Sequence, residues 1–332
     1  MNKFQKKIFM LNKLMKDLTR PSESYKLADD FNSQELGYYY FMFEESRIST
    51  GKDQALINKF DENGIPINKT YIDVTDKDYV YFPISIGQLG ISIYHTYLNT
   101  KSDEDRIRFM NFVDWFYNNA DISEEFGARW LTDVSLPQYQ NPGPWASAFA
   151  QARALNILLR GYQLTKDKKY AEIAEKALIP FTISAQKGGV ASFTKWGPFY
   201  EEYTAEVPTM VLNGMVFSLC GLFDFRRVFP DNVLVEKLID QGIETLKNVL
   251  PQYDIGFWST YNNCDADWYP KIDPATILYQ RLHVRQMEFM YLMTGENIFQ
   301  DYARKFAKQD NIFNALRMYF IKYKSLKNIG RL

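Results

Sequence analysis

Apolar residues recur at spacings of three and four along four stretches of the chain, and each stretch is followed at once by a second of the same kind. Ile84 to Asn99 precedes Asp103 to Tyr117, in which Ile107, Met110 and Val113 fall on one face. Ala148, Ala152, Leu155, Leu159 and Tyr162 line the next helix, and Tyr170, Ile173, Ala174, Ala177, Leu178 and Phe181 the one after it. Met210 to Arg227 pairs with Leu234, Leu238, Leu246 and Leu250. Ile277 to Thr294 pairs with Phe299, Tyr302, Ala303 and Phe306. These are amphipathic helices, and in each pair one helix is the more apolar, as an enclosed helix would be. The joints rhyme as Tyr-x-x-Thr at Tyr97, Tyr162 and Tyr291, spaced by about 65 and about twice 65 residues, with a degenerate copy near Phe225–Pro230. A fixed period marks a repeat architecture. The pattern predicts a mainly α fold, an incomplete (α/α) toroid of about four helix hairpins. A parallel α-solenoid is the alternative, although its repeats are normally shorter.

Between the hairpins the pattern turns strand-like. Gly188 to Phe193 is bounded by a Gly-Gly turn, and Gly256 to Tyr261 alternates ring and small residues. Short β-hairpins are therefore expected in the connectors 186–203 and 253–262. Connectors this long inside a compact domain are usually functional. Ahead of residue 84, Asp61-Glu-Asn-Gly64 reads as a turn between short strands at Ile65–Asn68 and Tyr79–Phe82. Residues 1–60 are expected to form an N-terminal arm packed on the toroid, and 61–332 the catalytic domain.

Composition narrows the function. With 332 residues, 46% hydrophobic and 24% charged, the chain can build a large core. Its net charge of −1 gives no basic field for nucleic acid. Aromatic residues make up 16%, with 23 Tyr and 25 Phe; core packing accounts for most, and the Tyr surplus suits a groove for sugar faces and hydroxyls. Two cysteines, Cys220 and Cys264, and two histidines give neither a disulfide framework nor a zinc pattern, so no metal or cofactor is expected. The apolar run Ile8–Leu11 is too short for a signal peptide, and no stretch is long enough to span a membrane. The expectation is a cytoplasmic protein, with a homodimer left open. Its Lys-rich ends (Lys3, Lys6, Lys7, Lys13, Lys16; Lys322, Lys324, Lys327, Arg331) read as solvated, or as contacts to an anionic surface.

One stretch carries chemistry. Phe199 to Gly214 sets Tyr200, Glu201, Glu202, Tyr203 and Glu206 in close succession, then runs into an apolar helix with a single amide, Asn213. A cap for a helix starting near Pro208 would explain Glu206 but not Glu201, Glu202 and Tyr203. Tyr261 ends a strand-like connector and, alone, reads as a packed aromatic. Tyr279 and His283 share a helix face, beside Arg281 and Arg285, and a core histidine fits His283 equally well. His95 reads as a packing residue. Trp145 sits in the turn Asn141–Ser147, placed over the toroid mouth or simply starting a helix. Phosphate-loop, zinc-protease and serine-hydrolase motifs are absent.

Several runs together resemble the D-glucuronyl C5-epimerases of heparan and heparosan biosynthesis. Trp196-Gly-Pro-Phe-Tyr-Glu-Glu-Tyr203 and Val211-Leu-Asn-Gly-Met-Val-Phe-Ser-Leu-Cys-Gly-Leu-Phe-Asp224 are the most specific. Tyr79–Ser92, Gly143–Ala154, Leu164–Asp167, Leu250–Gly256 and Leu282–Met287 complete a likeness from about Asn63 to Lys308. The resemblance implies three active tyrosines at Tyr203, Tyr261 and Tyr279, a carboxylate at Glu202 and a helix amide at Asn213. Substrate contacts are expected from Glu201, Tyr200, Trp196, Asn262, Arg281, His283, Arg285 and Trp145. Two departures stand out: Asn262-Asn-Cys264 follows Tyr261 where the family has an arginine for the uronate carboxylate, and Leu278 replaces an Asp. Arg281, Arg285 and Arg153 are candidate substitutes. The β-rich domain of the animal enzymes is largely missing.

The resemblance implies inversion of C5 in D-glucuronate residues of a heparosan-like polysaccharide. That chemistry needs a base on one face of the sugar, an acid on the other, and neutralisation of the carboxylate as charge develops. Three other readings stay open. They are a lyase removing the same proton, a glycosidase using Glu201 or Glu202 with Asp265 or Asp267, and a non-catalytic carbohydrate-binding toroid.

Overall fold

The computed structural model describes residues 8, 12, 14–15, 25–45, 57–70, 74 and 77–330. Lys3, Lys6, Lys7, Lys13, Lys16 and Arg331 lie outside the described residues, as does most of the apolar run at Ile8–Leu11. Four helix pairs dominate: α1 (Pro83–Thr100) with α2 (Asp103–Asn118), α3 (Ala148–Thr165) with α4 (Lys168–Lys176), α5 (Leu212–Val228) with α6 (Val233–Val249), and α7 (Ile277–Thr294) with α8 (Asn297–Gln309). The members of each pair touch, and only short links join them, so each pair is a helical hairpin. The Tyr-x-x-Thr rhyme is a repeated helix end. Lys101, Lys166 and Gly295 adopt left-handed φ of 55°, 60° and 72°, and each returns its N–H to the carbonyl of Tyr97, Tyr162 or Tyr291. Ser102 and Asp167 then cap the following helices through their side chains.

The first helices of the pairs contact one another in the order α1, α3, α5, α7. They are enclosed: α3 is buried from Ala148 to Gly161, and α5 from Leu212 to Phe225. The second helices bury one face each, as Val235, Leu238, Ile239, Gly242, Leu246 and Val249 do in α6. In α2 that face differs from the expected one. Phe109, Phe112, Val113 and Phe116 are buried while Ile107 is 59% exposed, because the phenylalanines offer the larger apolar surface at the same helical spacing.

Residues 31–43 bridge the first and last helices of this row. Tyr39 donates its N–H to His95 of α1 at 2.9 Å, and Tyr94 of α1 donates to the Leu36 carbonyl at 3.0 Å. Phe31, Tyr40 and Phe41 pack their rings on Phe289 of α7, 4.9–5.7 Å between centroids. Beneath them, Arg160 of α3 and Asp224 of α5 form a fully buried ion pair at 2.5 Å. Asn156 donates to the same carboxylate at 2.7 Å, and Arg160 also reaches the Gly37 carbonyl at 3.3 Å.

Strands are short. β1 (Ile57–Phe60), β2 (Pro66–Lys69) and β3 (Tyr79–Val80) form an antiparallel sheet in that order, and β4 (Asp121–Ser123) pairs with β5 (Gly127–Arg129). In the connector 186–203, β6 (Ala191–Thr194) and β7 (Gly197–Tyr200) make the expected hairpin. The connector 253–262 makes none. It forms isolated bridges instead: Asp254 pairs with Ser259 inside the connector, while Thr260 pairs with Pro274 and Asn262 with Val211 in other segments. A further helix, α9 (Ile312–Asn328), was not expected from its lysine-dense pattern; Ala315, Met318 and Tyr319 pack with Phe257, Trp258, Ala275 and Ile277. Both cysteines are free and buried. Among the described residues no helix is long and apolar enough to cross a membrane.

Candidate active site

All four first helices send residues from their opening turns to one cavity of about 400 Å³. Ser85 and Gln88 come from α1, Phe149 from α3, Asn213 and Phe217 from α5, and Tyr279 and Leu282 from α7. The positive ends of four helix dipoles therefore converge there, which favours an anion. Neither α1 nor α5 carries a side-chain cap at this end. The size falls in the range of small-molecule sites.

Glu202 is the single carboxylate among the lining residues. Asn213 donates its amide to Glu202 Oε2 at 2.9 Å. Gly214 leaves the space the carboxylate occupies, since a Cβ there would collide with the Glu202 side chain. Burial raises the Glu202 acid to about 7, against hydrogen bonds from Tyr203 and Asn213 that lower it. A carboxyl poised near neutrality can take or give a proton. The Asn213 Oδ1 oxygen is buried without a partner, and so is Asn68 Oδ1 across the cavity. Both are free to accept from hydroxyls.

The tyrosines cluster around this carboxyl. Tyr203 lines the cavity and packs between Tyr139, stacked at 5.7 Å, and Trp145, edge-on at 5.4 Å. Tyr279 lines it from α7, its ring 5.0 Å from that of Tyr261. Burial, then the charge of Glu202, push the Tyr261 hydroxyl well above its ordinary range, so Tyr261 stays a neutral proton donor rather than a tyrosinate.

The remaining expected contacts lie elsewhere. Tyr200 is fully buried and donates its hydroxyl to the Leu238 carbonyl at 2.6 Å. Glu201 points away from the cavity and accepts from Thr209 Oγ1 and the Met210 N–H, both at 2.8 Å. That second bond holds Met210 at a left-handed φ of 50°, an uncommon conformation for a non-glycine, just before α5. Trp196 sits at the β6–β7 turn beneath Lys195. Asn262 donates to the Tyr139 hydroxyl at 3.0 Å. Arg281 pairs with Asp310 at 2.8 Å and Arg285 with Glu288 at 2.5 Å, both away from the cavity lining. His283 is buried beside Ser259 at 2.8 Å, and burial lowers it to about 3, so it stays neutral. Trp145 donates Nε1 to the Val134 carbonyl and serves as the wall behind Tyr203. Arg153 is buried against the rings of Tyr39, Phe149 and Phe217. Helical spacing could not place Tyr200, Asn262, Arg281, His283 and Trp145, because each is held by a partner 11 or more residues away in sequence.

Asn68, Lys69 and Thr70 of the β2 stretch also line the cavity, and sequence reasoning missed them. A short strand and its polar residues carry no motif that marks them. Among the described residues no cluster of three or more His, Cys, Asp or Glu could hold a metal ion.

Glu201 gives a test of this arrangement. Burial raises its acid to about 7, above the unfolded 4.5. Its stabilising effect is therefore fully present below about pH 4.5 and is lost as pH rises through about 7, on the order of 3 kcal/mol. Thermal melts of wild type should fall over that window, and Glu201→Gln should flatten the slope. A wild-type midpoint that climbs from pH 5 to 7 would contradict the buried acid.

Residues 124–308 match the family model described as D-glucuronyl C5-epimerase C-terminus. An uncharacterized protein of Methanocaldococcus jannaschii is 29% identical over 184 residues, which are 53% of this chain and 56% of that protein. A D-glucuronyl C5-epimerase of Caenorhabditis elegans is 27% identical over 190 residues, 54% of this chain and 31% of that enzyme. The chain thus matches only part of each relative. In fold it is similar to the cellobiose 2-epimerase of Spirochaeta thermophila, a structure of the α/α toroid type, with a TM-score of 0.53 at 13% identity over 79% of this chain and 65% of that one.

Proposed function

The chain belongs to the D-glucuronyl C5-epimerase C-terminus family, and from that premise we propose that it is a carbohydrate epimerase that inverts C5 of D-glucuronate residues within a heparosan-like polysaccharide. The observation that carries the reading is a buried carboxyl, Glu202, held near neutrality in a cavity that Tyr279 and Tyr203 share. Glu202, with Tyr203 beside it, takes the proton from C5. The C5–H electron pair moves into the adjoining carboxyl group as an enediolate. A tyrosine hydroxyl, Tyr279 assisted by Tyr261, returns a proton to the opposite face, and the pair collapses back to C5 with inverted configuration. Asn213 Oδ1 accepts from a sugar hydroxyl. No oxidant and no cofactor enters this balance.

The lining supports this reading over glycoside hydrolysis, which takes two flanking carboxylates. Asp265 and Asp267 are exposed and do not reach the cavity.

Incubation with heparosan in D2O is the test, with NMR reading deuterium at C5 and the appearance of iduronate. The rate should rise with pH around a midpoint near 7 as Glu202 ionises, and Glu202→Gln should remove that limb. Unsaturated uronate, seen by its ultraviolet absorbance, would replace the proposal with a lyase. No deuterium and no new product would leave only a binding role.

A further inference from the structure

We propose that Lys69 is the residue that grips the substrate carboxylate, an inference that rests on the C5-epimerisation reading. Removing the C5 proton throws negative charge onto a group already anionic, so a cation must lie close to that group. The position that follows Tyr261 cannot supply one, because it holds Asn262, which is committed to Tyr139. Arg281 and Arg285 lie outside the cavity in ion pairs with Asp310 and Glu288. Arg153 lies behind the rings of Phe149 and Phe217, which themselves line the cavity and separate its guanidinium from any ligand.

Lys69 is the single basic residue among those that line the cavity, and Glu202 is the single acidic one. One cation to hold a carboxylate and one carboxyl to move a proton is the complement that a uronate needs. The surroundings of Lys69 also point to a ligand. The adjoining Asn68 is anchored through its Nδ2 to Ser85 at 2.9 Å, which leaves its buried Oδ1 without a partner. An unmet acceptor and an exposed lysine in the lining of one cavity match a sugar hydroxyl and its carboxylate. The helix ends that converge on the same cavity add to the attraction. Lysine offers a point charge on a flexible stem, whereas arginine offers a planar fork, so recognition here tolerates more movement of the carboxylate.

The test measures binding and exchange together. Binding is titrated with a heparosan oligosaccharide and with the same oligosaccharide after carboxyl reduction. Lys69→Ala should weaken the acidic ligand about 10- to 100-fold, as expected for a hydrogen bond to a charged group, while the reduced ligand binds as it does to wild type. C5 exchange should fall by about 100-fold in kcat/KM, and Lys69→Arg should recover most of it. Lys59→Ala, which removes a neighbouring charge that does not line the cavity, should change nothing. Equal affinity of Lys69→Ala and wild type for the acidic ligand overturns the inference, as does an equal loss for both ligands. A wild type that binds neither ligand overturns it too. If wild type prefers the acidic ligand through Lys69 yet exchanges no proton, the epimerase reading falls and the carboxylate site stands.

Discussion

Tyr279→Phe is expected to exchange the C5 proton about 10² to 10⁴ times more slowly than wild type, the usual contribution of one general acid or base, while its melting midpoint stays put. The substitution takes away one hydroxyl and keeps the ring that packs edge-on against Tyr261. The start of α7 is also retained, because Thr276 caps it by accepting from the Tyr279 backbone N–H. Glu202→Gln should give a loss of the same size for a different reason. The amide fills the space beside Gly214 and can still accept from Asn213, but it has no proton to exchange near neutral pH. Tyr203→Phe should follow them. The double variant Tyr279→Phe with Glu202→Gln should be little worse than either single one, since both serve one cycle and such losses do not add. A Tyr279→Phe protein that exchanges at the wild-type rate would remove this tyrosine from the scheme.

Arg160→Met should destabilise the fold by about 3–5 kcal/mol in urea or thermal denaturation, the cost of leaving one charge of a buried pair alone. Arg160 and Asp224 are both fully enclosed, and Asp224 then keeps only Asn156 within 3 Å and Arg227 at 3.8 Å. Adding Asp224→Leu should recover a large part of the loss, because no unpaired charge remains and the two sites are coupled. If Arg160→Met melts within a degree or two of wild type, the pair is not the tie between α3, α5 and the chain around Gly37 that the geometry implies.

The helix pairs were legible because burial in a row of helices imposes a period that composition cannot hide. Leu155, Leu159, Leu238 and Leu246 could be assigned to buried faces on spacing alone. Glu202, Tyr203 and Asn213 were legible as a group because polar residues at the head of an apolar helix break that period. The role of Glu201 was not. It has the same chemistry and position as Glu202, and only the turn at Met210 decides that one carboxyl faces the cavity and the other braces the backbone. Ile107 shows the same limit in α2, where three phenylalanines outcompeted it for the interior. The short strand ending near Asn68 was legible, but its place in the cavity wall with Lys69 and Thr70 was not, since so few residues carry too little pattern to mark a surface.

That wall lies outside the 124–308 segment shared with the family, whereas Glu202, Tyr203, Asn213 and Tyr279 lie inside it. On the readings proposed above, the proton-transfer groups lie within that segment and the carboxylate contact, Lys69, lies before it. If Lys69 holds the carboxylate, changes before residue 124 would alter which sugar acid is accepted without touching Glu202, Tyr203 or Tyr279. A chimaera that exchanges residues 57–80 between two relatives is the minimal unit of such a retuning.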